Sequence, residues 1–179
     1  MRVRWPTTVV LVALAVSALA QSNPEEQARS LLEDGRTYRE QGKLKQALDN
    51  FNTIITGFPD TSSVDDALLE IGRYHVDVDG DTEKGREAFE QVVQRFPQSD
   101  GAPGAYYYLG WVTLSRAADQ AELDDAFAQF TRVRRLYPRS VWVARALHAS
   151  GLVHRKSESF AEAVAFQRRV SMEYPEGIT

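Results

Sequence analysis

The stretch from residue 31 to residue 59, LLEDGRTYREQGKLKQALDNFNTIITGFP, decides the fold of this chain. Its apolar residues recur every three or four positions, which is the spacing of one face of an α-helix. Gly42 divides the stretch into two such helices. Pro59 ends the second one, because a residue that precedes proline is disfavoured in the helical conformation. The stretch therefore predicts a helical hairpin.

The hairpin pattern recurs along the chain, and the prolines that end the hairpins lie roughly 40 residues apart. A glycine inside a helix costs about 1 kcal/mol relative to alanine. Glycine at one repeated register therefore indicates that the two helices of a hairpin approach closely there, and we expect the small residue of the second helix to form the other side of the contact. The four sets are Gly35, Ala47, Phe51 and Pro59; Gly72, Gly85, Phe89 and Pro97; Gly110, Ala126, Phe130 and Pro138; and Gly151, Ala163, Gln167 and Pro175.

This pattern resembles the tetratricopeptide repeat (TPR), whose signature combines Leu-Gly-x-x-Tyr, Ala-x-x-x-Phe and Pro. The first hairpin matches every step, with Leu31 and Tyr38 beside the four residues of its set. The resemblance covers essentially all of residues 21–179 and implies an all-α fold, a right-handed superhelix of about four TPR-like hairpins. We place these repeats at about residues 24–59, 63–97, 102–138 and 140–175.

The long connections that follow each proline make the chain similar to the TPR proteins of the Gram-negative envelope. Examples are the lipoprotein of the outer-membrane assembly machine and the Tol–Pal-associated cell-division coordinator. The chain differs from the first because it has no cysteine to carry a lipid. It differs from the second because no coiled-coil segment precedes the repeats. The resemblance is therefore to the group and to neither member.

Residues 1–20 have the features of a secretory signal peptide. Arg2 and Arg4 precede a short uncharged, apolar run that ends in small residues at Ala20. At about 1.5 Å per residue this run is shorter than the ~30 Å hydrocarbon core of a membrane. We therefore expect cleavage before Gln21 rather than an uncleaved anchor, and a periplasmic or secreted protein with no transmembrane anchor after cleavage.

The composition disfavours several classes of function. The 179 residues include 21 Lys and Arg and 25 Asp and Glu, a net charge of −4, which argues against nucleic-acid binding. No spacing of the three histidines fits a zinc site, and the acidic run 77–81 fails as a calcium loop because Thr82 stands where that loop needs glycine. Capping explains most serines, which lie at helix starts. We expect no catalytic residues, no metal and no cofactor.

The first helix of each hairpin lines a concave groove in TPR proteins, so the resemblance implies a binding surface there. Arginine and aromatic residues are frequent binding anchors, and arginine pairs bidentately with carboxylates. We predict that the groove binds an extended acidic or carboxyl-terminal peptide segment; the alternative is that the arginines form only the solvated face of the helices. The predicted groove residues are Arg29, Leu32, Arg36, Arg39, Leu69, Arg73, Tyr107, Trp111, Arg145, His148, Arg155 and Lys156.

These features favour an exported scaffold that mediates protein–protein interactions in the cell envelope. Its partners would be other envelope proteins or their peptide segments. Two alternatives stay open: the repeat region at the N-terminal end of a larger exported enzyme, and a peptidoglycan-binding protein in which Tyr107 and Trp111 stack on sugars. TPR arrays normally end in a polar capping helix. None follows Pro175, so we also expect self-association through the C-terminal hairpin.

Overall fold

A computed structural model of the protein describes residues 23–157 and 160–173. In these residues eight α-helices follow one another as hairpins, without a strand. This confirms the predicted all-α fold. The helices are α1 (Pro24–Glu40), α2 (Leu44–Gly57), α3 (Val64–Tyr74), α4 (Thr82–Arg95), α5 (Ala102–Arg116), α6 (Gln120–Leu136), α7 (Trp142–Lys156) and α8 (Phe160–Glu173).

Two sequence predictions fall on parts of the chain outside the described residues. These are the signal peptide at residues 1–20 and the last repeat boundary at Pro175. None of the helices within residues 23–157 and 160–173 combines the length and the apolarity needed to cross a membrane.

Short polar side chains fix where three of the helices begin. The Asn23 side chain accepts a hydrogen bond from the Glu25 amide at 3.1 Å and caps α1, with Pro24 in the first turn. Asp81 and Asp119 cap α4 and α6 in the same way, at 3.0 Å and 2.9 Å from the amides they bind. Such caps satisfy amides that have no partner within the helix.

The repeated glycines make room for phenylalanine rings. A Cβ atom added at three of these glycines would lie far inside contact distance of a ring in the second helix of the same hairpin, and each ring is buried. The predicted close approach is therefore confirmed, and a phenylalanine ring occupies the space at each of these glycines. In the second hairpin the expected small residue also faces the glycine, since a Cβ atom added at Gly85 would lie 3.0 Å from the Gly72 carbonyl oxygen. The pairs are Gly35 with Phe51 (2.5 Å), Gly72 with Phe89 (2.4 Å) and Gly110 with Phe130 (2.6 Å).

The glycine contact of the fourth hairpin is not described, because the side chains at positions 163 and 167 of α8 lie outside the described residues.

Two hydrophobic clusters run through the other helices. The first extends from Ala28 to Val112 and the second from Leu114 to Val153, and Tyr106 packs against both. The core is therefore distributed along the array, as expected when each hairpin packs mainly on its neighbours.

The first helices of successive hairpins lie side by side, since α3 contacts α5 and α5 contacts α7. Helix α3 continues into a π-helical turn at His75–Asp79, which ends at Gly80 with a φ of 67°. That left-handed conformation suits glycine because it has no side chain. Residues 75–79, between the two helices of the second hairpin, thus extend α3, and Asp77 lies at the C-terminal end of this extended helix.

Candidate protein-binding groove

Two of the predicted groove residues are part of the core. Leu32 and Leu69 are each only 6% exposed, so the expectation that they line an open surface is wrong. Leu69 packs on α5, where a Cβ atom added at Gly104 would lie 3.1 Å from its side chain. Packing inside the protein takes up this part of the helix face, so fewer residues are available to line the groove than the helical spacing alone predicts.

Three predicted groove arginines surround one carboxylate. The Glu70 side chain is only 5% exposed and forms ion pairs with Arg36 at 3.6 Å, with Arg73 at 3.3 Å and with Arg39. Arg36 also pairs with Asp66 at 3.0 Å. We call these five residues the arginine cluster. Because its guanidinium groups are already bonded to carboxylates, the cluster offers much less positive charge to a ligand than the sequence indicates.

Asp66 also belongs to a group of three carboxylates. Oxygens of Asp65, Asp66 and Asp100 all lie within 4.8 Å of one another. Burial raises the pKa of Asp66 above its ordinary value of 3.8, Asp65 and Asp100 raise it further, and Arg36 opposes them. Asp65 is itself buried and accepts a hydrogen bond from the Gly101 amide at 3.2 Å. Since two of the three carboxylates are bonded within the protein, we assign no metal to this group.

The middle of the row of first helices forms a depression, which we call the aromatic cleft. It encloses about 330 Å³ and receives side chains from the end of α3 with its π-helical turn, from α5 and from α7. Its residues combine aromatic rings with one carboxylate and one guanidinium. They are Val76, Asp77, Tyr107, Tyr108, Trp111, Val112, Ser115 and Arg145.

Ring contacts hold the aromatic side chains in place. The rings of Tyr107 and Trp111 meet edge to face with centroids 6.2 Å apart, and Tyr107 also contacts Trp142 at 5.1 Å. Arg145 lies 5.2 Å from the centre of the Trp142 ring, and Arg73 of the arginine cluster lies 5.6 Å from that of Tyr108. Such aromatic and cation–π contacts fix the rings before any ligand arrives.

Several polar groups of the aromatic cleft have no partner among the described residues. Asp77 is exposed and forms neither a hydrogen bond nor an ion pair there, and the same holds for the hydroxyl of Tyr107 and the indole N–H of Trp111. Burial raises the pKa of the Tyr108 hydroxyl, so this ring stays neutral. The cleft can therefore contact an apolar group of a ligand with its rings and, at the same time, form hydrogen bonds to polar atoms of that ligand.

The structure brings Tyr107, Trp111 and Arg145 together in the aromatic cleft, and it places four other predicted residues elsewhere. Arg29 is exposed on α1, His148 is half-buried on α7, and Arg155 is exposed near the end of α7. The Lys156 ammonium donates hydrogen bonds to the carbonyls of Leu114 at 3.0 Å and Ala117 at 2.9 Å. Lys156 thus stabilises the C-terminal end of α5, where carbonyls lack partners within the helix.

Sequence reasoning missed Glu70, Asp77 and Tyr108. A signal for the two acidic residues was present, because Asp66, Glu70, Arg73 and Asp77 follow one another at the three- or four-residue spacing of a single helix face. A basic residue between acidic residues on that face indicates ion pairing. What this spacing does not show is that Arg36 and Arg39, one hairpin earlier, share the same carboxylate.

Residues 66–99 match the tetratricopeptide repeat family, a range that includes Glu70, Arg73 and Asp77. No curated protein matches the chain. Among solved structures, the fold is similar to a crystal structure of MamA, with a TM-score of 0.64, 19% identity and coverage of 89% of this chain and 85% of that chain. A second crystal structure of MamA gives a TM-score of 0.62 at 19% identity, over 83% of this chain and 74% of that one.

Identity at this level establishes likeness of fold alone, and MamA has the same type of helical repeat. The match of residues 66–99 identifies one repeat by its sequence, and the helical hairpins before and after it continue the same architecture. The chain therefore contains a tetratricopeptide repeat, within an all-α superhelix of the TPR type.

Proposed function

We propose that this protein is an exported, periplasmic TPR scaffold that binds segments of other cell-envelope proteins in the aromatic cleft. TPR folds typically mediate protein–protein interactions and are seldom enzymes. The export and the periplasmic location are part of the proposal and rest on the basic, then apolar, N-terminal residues of the sequence. Partners in outer-membrane biogenesis or in cell division fit the resemblance to envelope TPR proteins.

One observation carries the proposal: the aromatic cleft exposes rings and unpaired polar groups on the face where first helices meet. Tryptophan, tyrosine and arginine dominate the energetics of protein interfaces, and Trp111, Tyr107 and Arg145 lie together here. The indole N–H of Trp111 has no acceptor among the described residues. The backbone of a bound, extended peptide would supply carbonyl oxygens that accept a hydrogen bond from it.

The arginine cluster contributes to this function mainly as a support. It joins α1 to α3 through Glu70 and Asp66, which fixes the angle between the first two hairpins. Arg73 then contacts the Tyr108 ring and links that support to the cleft. The charged side chains near α1 are thus paired with one another, whereas Asp77 in the aromatic cleft forms no ion pair with a described residue.

The proposal can be tested by capturing partners with the full chain in a Gram-negative host. A tagged wild-type chain and a Tyr107→Ser, Trp111→Ala variant are expressed, cross-linked in the envelope and purified. The control is Arg29→Ala, which changes an exposed residue of α1 outside the cleft. We expect one set of envelope proteins with the wild type and the control, and loss of that set with the cleft variant.

Two results would contradict the proposal. Identical partners for all three chains, with unchanged circular dichroism, would show that the aromatic cleft is not the binding site. Recovery of the protein from the cytoplasm with its first 20 residues intact, by fractionation and mass spectrometry of the same cells, would contradict the periplasmic location.

A further inference from the structure

The aromatic cleft is electrically asymmetric. Asp77 belongs to the π-helical turn that follows α3, and Arg145 belongs to α7. Residues of α5, among them Tyr107 and Trp111, line the same cleft from the helix that lies between those two elements. A segment that crosses the cleft from α3 to α7 therefore meets a carboxylate first, then aromatic rings, and then a guanidinium.

The carboxylate of Asp77 is available to a ligand. It is exposed and has no ion pair with any described residue, although Arg73 lies one helical turn before it. The Arg73 guanidinium pairs instead with Glu70 at 3.3 Å and lies against the Tyr108 ring. Because Arg73 is engaged in this way, the α3 side of the cleft presents a negative group.

The guanidinium of Arg145 marks the opposite side. It stacks over Trp142 at 5.2 Å from the ring centre, and a stacked guanidinium keeps its N–H groups at the edge of its plane. Those groups suit the planar geometry of a carboxylate. The α7 side of the cleft thus presents a positive group that the protein itself orients.

We propose that the segment bound in the aromatic cleft carries an aromatic anchor flanked by opposite charges, with a basic residue toward Asp77 and an acidic residue toward Arg145. This inference rests on the proposed function and specifies its ligand. It replaces the uniformly acidic peptide that the sequence suggests, because three of the arginines that favoured such a peptide are paired with Glu70 and Asp66. Complementary charge at both ends selects partners, since like charges brought together oppose binding.

The test uses blocked peptides of about seven residues, a length that spans roughly 23 Å when extended. Each has a central tryptophan and alanine elsewhere, and the set differs only at the two ends. One peptide carries lysine and glutamate, one carries two glutamates, and one carries two lysines. A fourth replaces the tryptophan of the mixed-charge peptide by alanine. An oligomer of N-acetylglucosamine probes sugar binding, and titration calorimetry with the full chain measures each affinity.

We expect the wild type to bind the mixed-charge peptide about tenfold more tightly than either like-charged peptide. The variant Asp77→Lys should instead prefer the peptide with two glutamates, and Arg145→Glu should prefer the peptide with two lysines. Loss of the central tryptophan should weaken binding in all three proteins. This exchange of preference cannot arise from misfolding, because each variant gains affinity for a peptide that the wild type binds poorly.

Three outcomes would overturn the inference: preference of the wild type for the two-glutamate peptide, preferences that do not change in the two variants, or binding of the sugar oligomer without binding of any peptide. Failure of this inference is distinguishable from failure of the proposed function. If envelope partners still depend on Tyr107 and Trp111 while the charge exchange has no effect, the cleft is the binding site but selects its ligand by shape.

Discussion

The arginine cluster and the aromatic cleft use similar residues for different purposes. In the cluster, Glu70 is 5% exposed and binds three arginines from two hairpins. In the cleft, Asp77 is exposed and has no partner among the described residues. Both carboxylates lie on one face of α3 and its π-helical extension. The difference teaches that the neighbouring helix, and not the residue type, decides whether a charge stabilises the fold or remains available for a ligand.

The largest predicted loss of stability comes from a substitution that breaks the arginine cluster. Glu70→Gln removes the charge that three guanidinium groups share, and we expect the free energy of unfolding to fall by about 2–3 kcal/mol. A fully buried pair loses about 3–5 kcal/mol when one partner is removed. The loss here is smaller because the arginines are 29–39% exposed and can bind water. Urea denaturation followed by circular dichroism measures the change.

The matched control for this variant is Glu90→Gln. Glu90 pairs with Arg86 at 2.8 Å, but both side chains are more than a third exposed. Exposed pairs contribute about 0–1 kcal/mol, so this change should be close to neutral. Equal losses for the two variants would show that the arginine cluster is an ordinary surface network and would remove the distinction between the two regions.

The sequence predicted the architecture well because the fold depends on local signals. Helical spacing and the glycine register are each contained within one hairpin, and the structure confirms them. The candidate site depends on contacts between hairpins. Glu70 pairs with Arg36 and Arg39, and Leu69 packs against α5, only because of the angle at which one hairpin stacks on the next. No short-range pattern contains that angle.

A second prediction compares the glycine–phenylalanine packing beneath the arginine cluster with that beneath the aromatic cleft. Gly35 lies on α1, beside the arginine cluster, and Gly110 lies on α5, below the cleft. An added Cβ atom would meet Phe51 at 2.5 Å in one case and Phe130 at 2.6 Å in the other. We expect Gly35→Ala and Gly110→Ala each to lower the free energy of unfolding by about 1–2 kcal/mol, because overpacking a filled core forces side chains from their places.

Gly57→Ala provides the control for both variants. A Cβ atom added at Gly57 meets nothing within 4 Å, so alanine should leave stability unchanged or raise it by a few tenths of a kcal/mol through its helix propensity. Thermal unfolding of the three variants gives the comparison. A loss at Gly110 alone would show that the cleft region is packed more tightly than the region around α1.

The smallest effect concerns the pH dependence of the arginine cluster. Burial raises the pKa of Asp66, and Arg36 only partly opposes this shift. A carboxyl group whose pKa is higher in the folded state binds its proton more readily there, so acidification stabilises the folded state as the pH falls through that raised pKa. The gain is complete below the ordinary value of 3.8. Asp66→Asn cannot bind the proton and lacks this gain.

The measurable quantity is the stability of Asp66→Asn relative to the wild type between pH 7 and pH 4, because other carboxylates change the absolute stability of both proteins alike. We expect the variant to become less stable relative to the wild type as the pH falls, by less than about 1 kcal/mol for a group that retains contact with solvent. A relative stability that moves the other way would mean that Arg36 dominates over burial. The arginine cluster would then stabilise the ionised carboxylate, and its positive charge would be more fully neutralised than the geometry indicates.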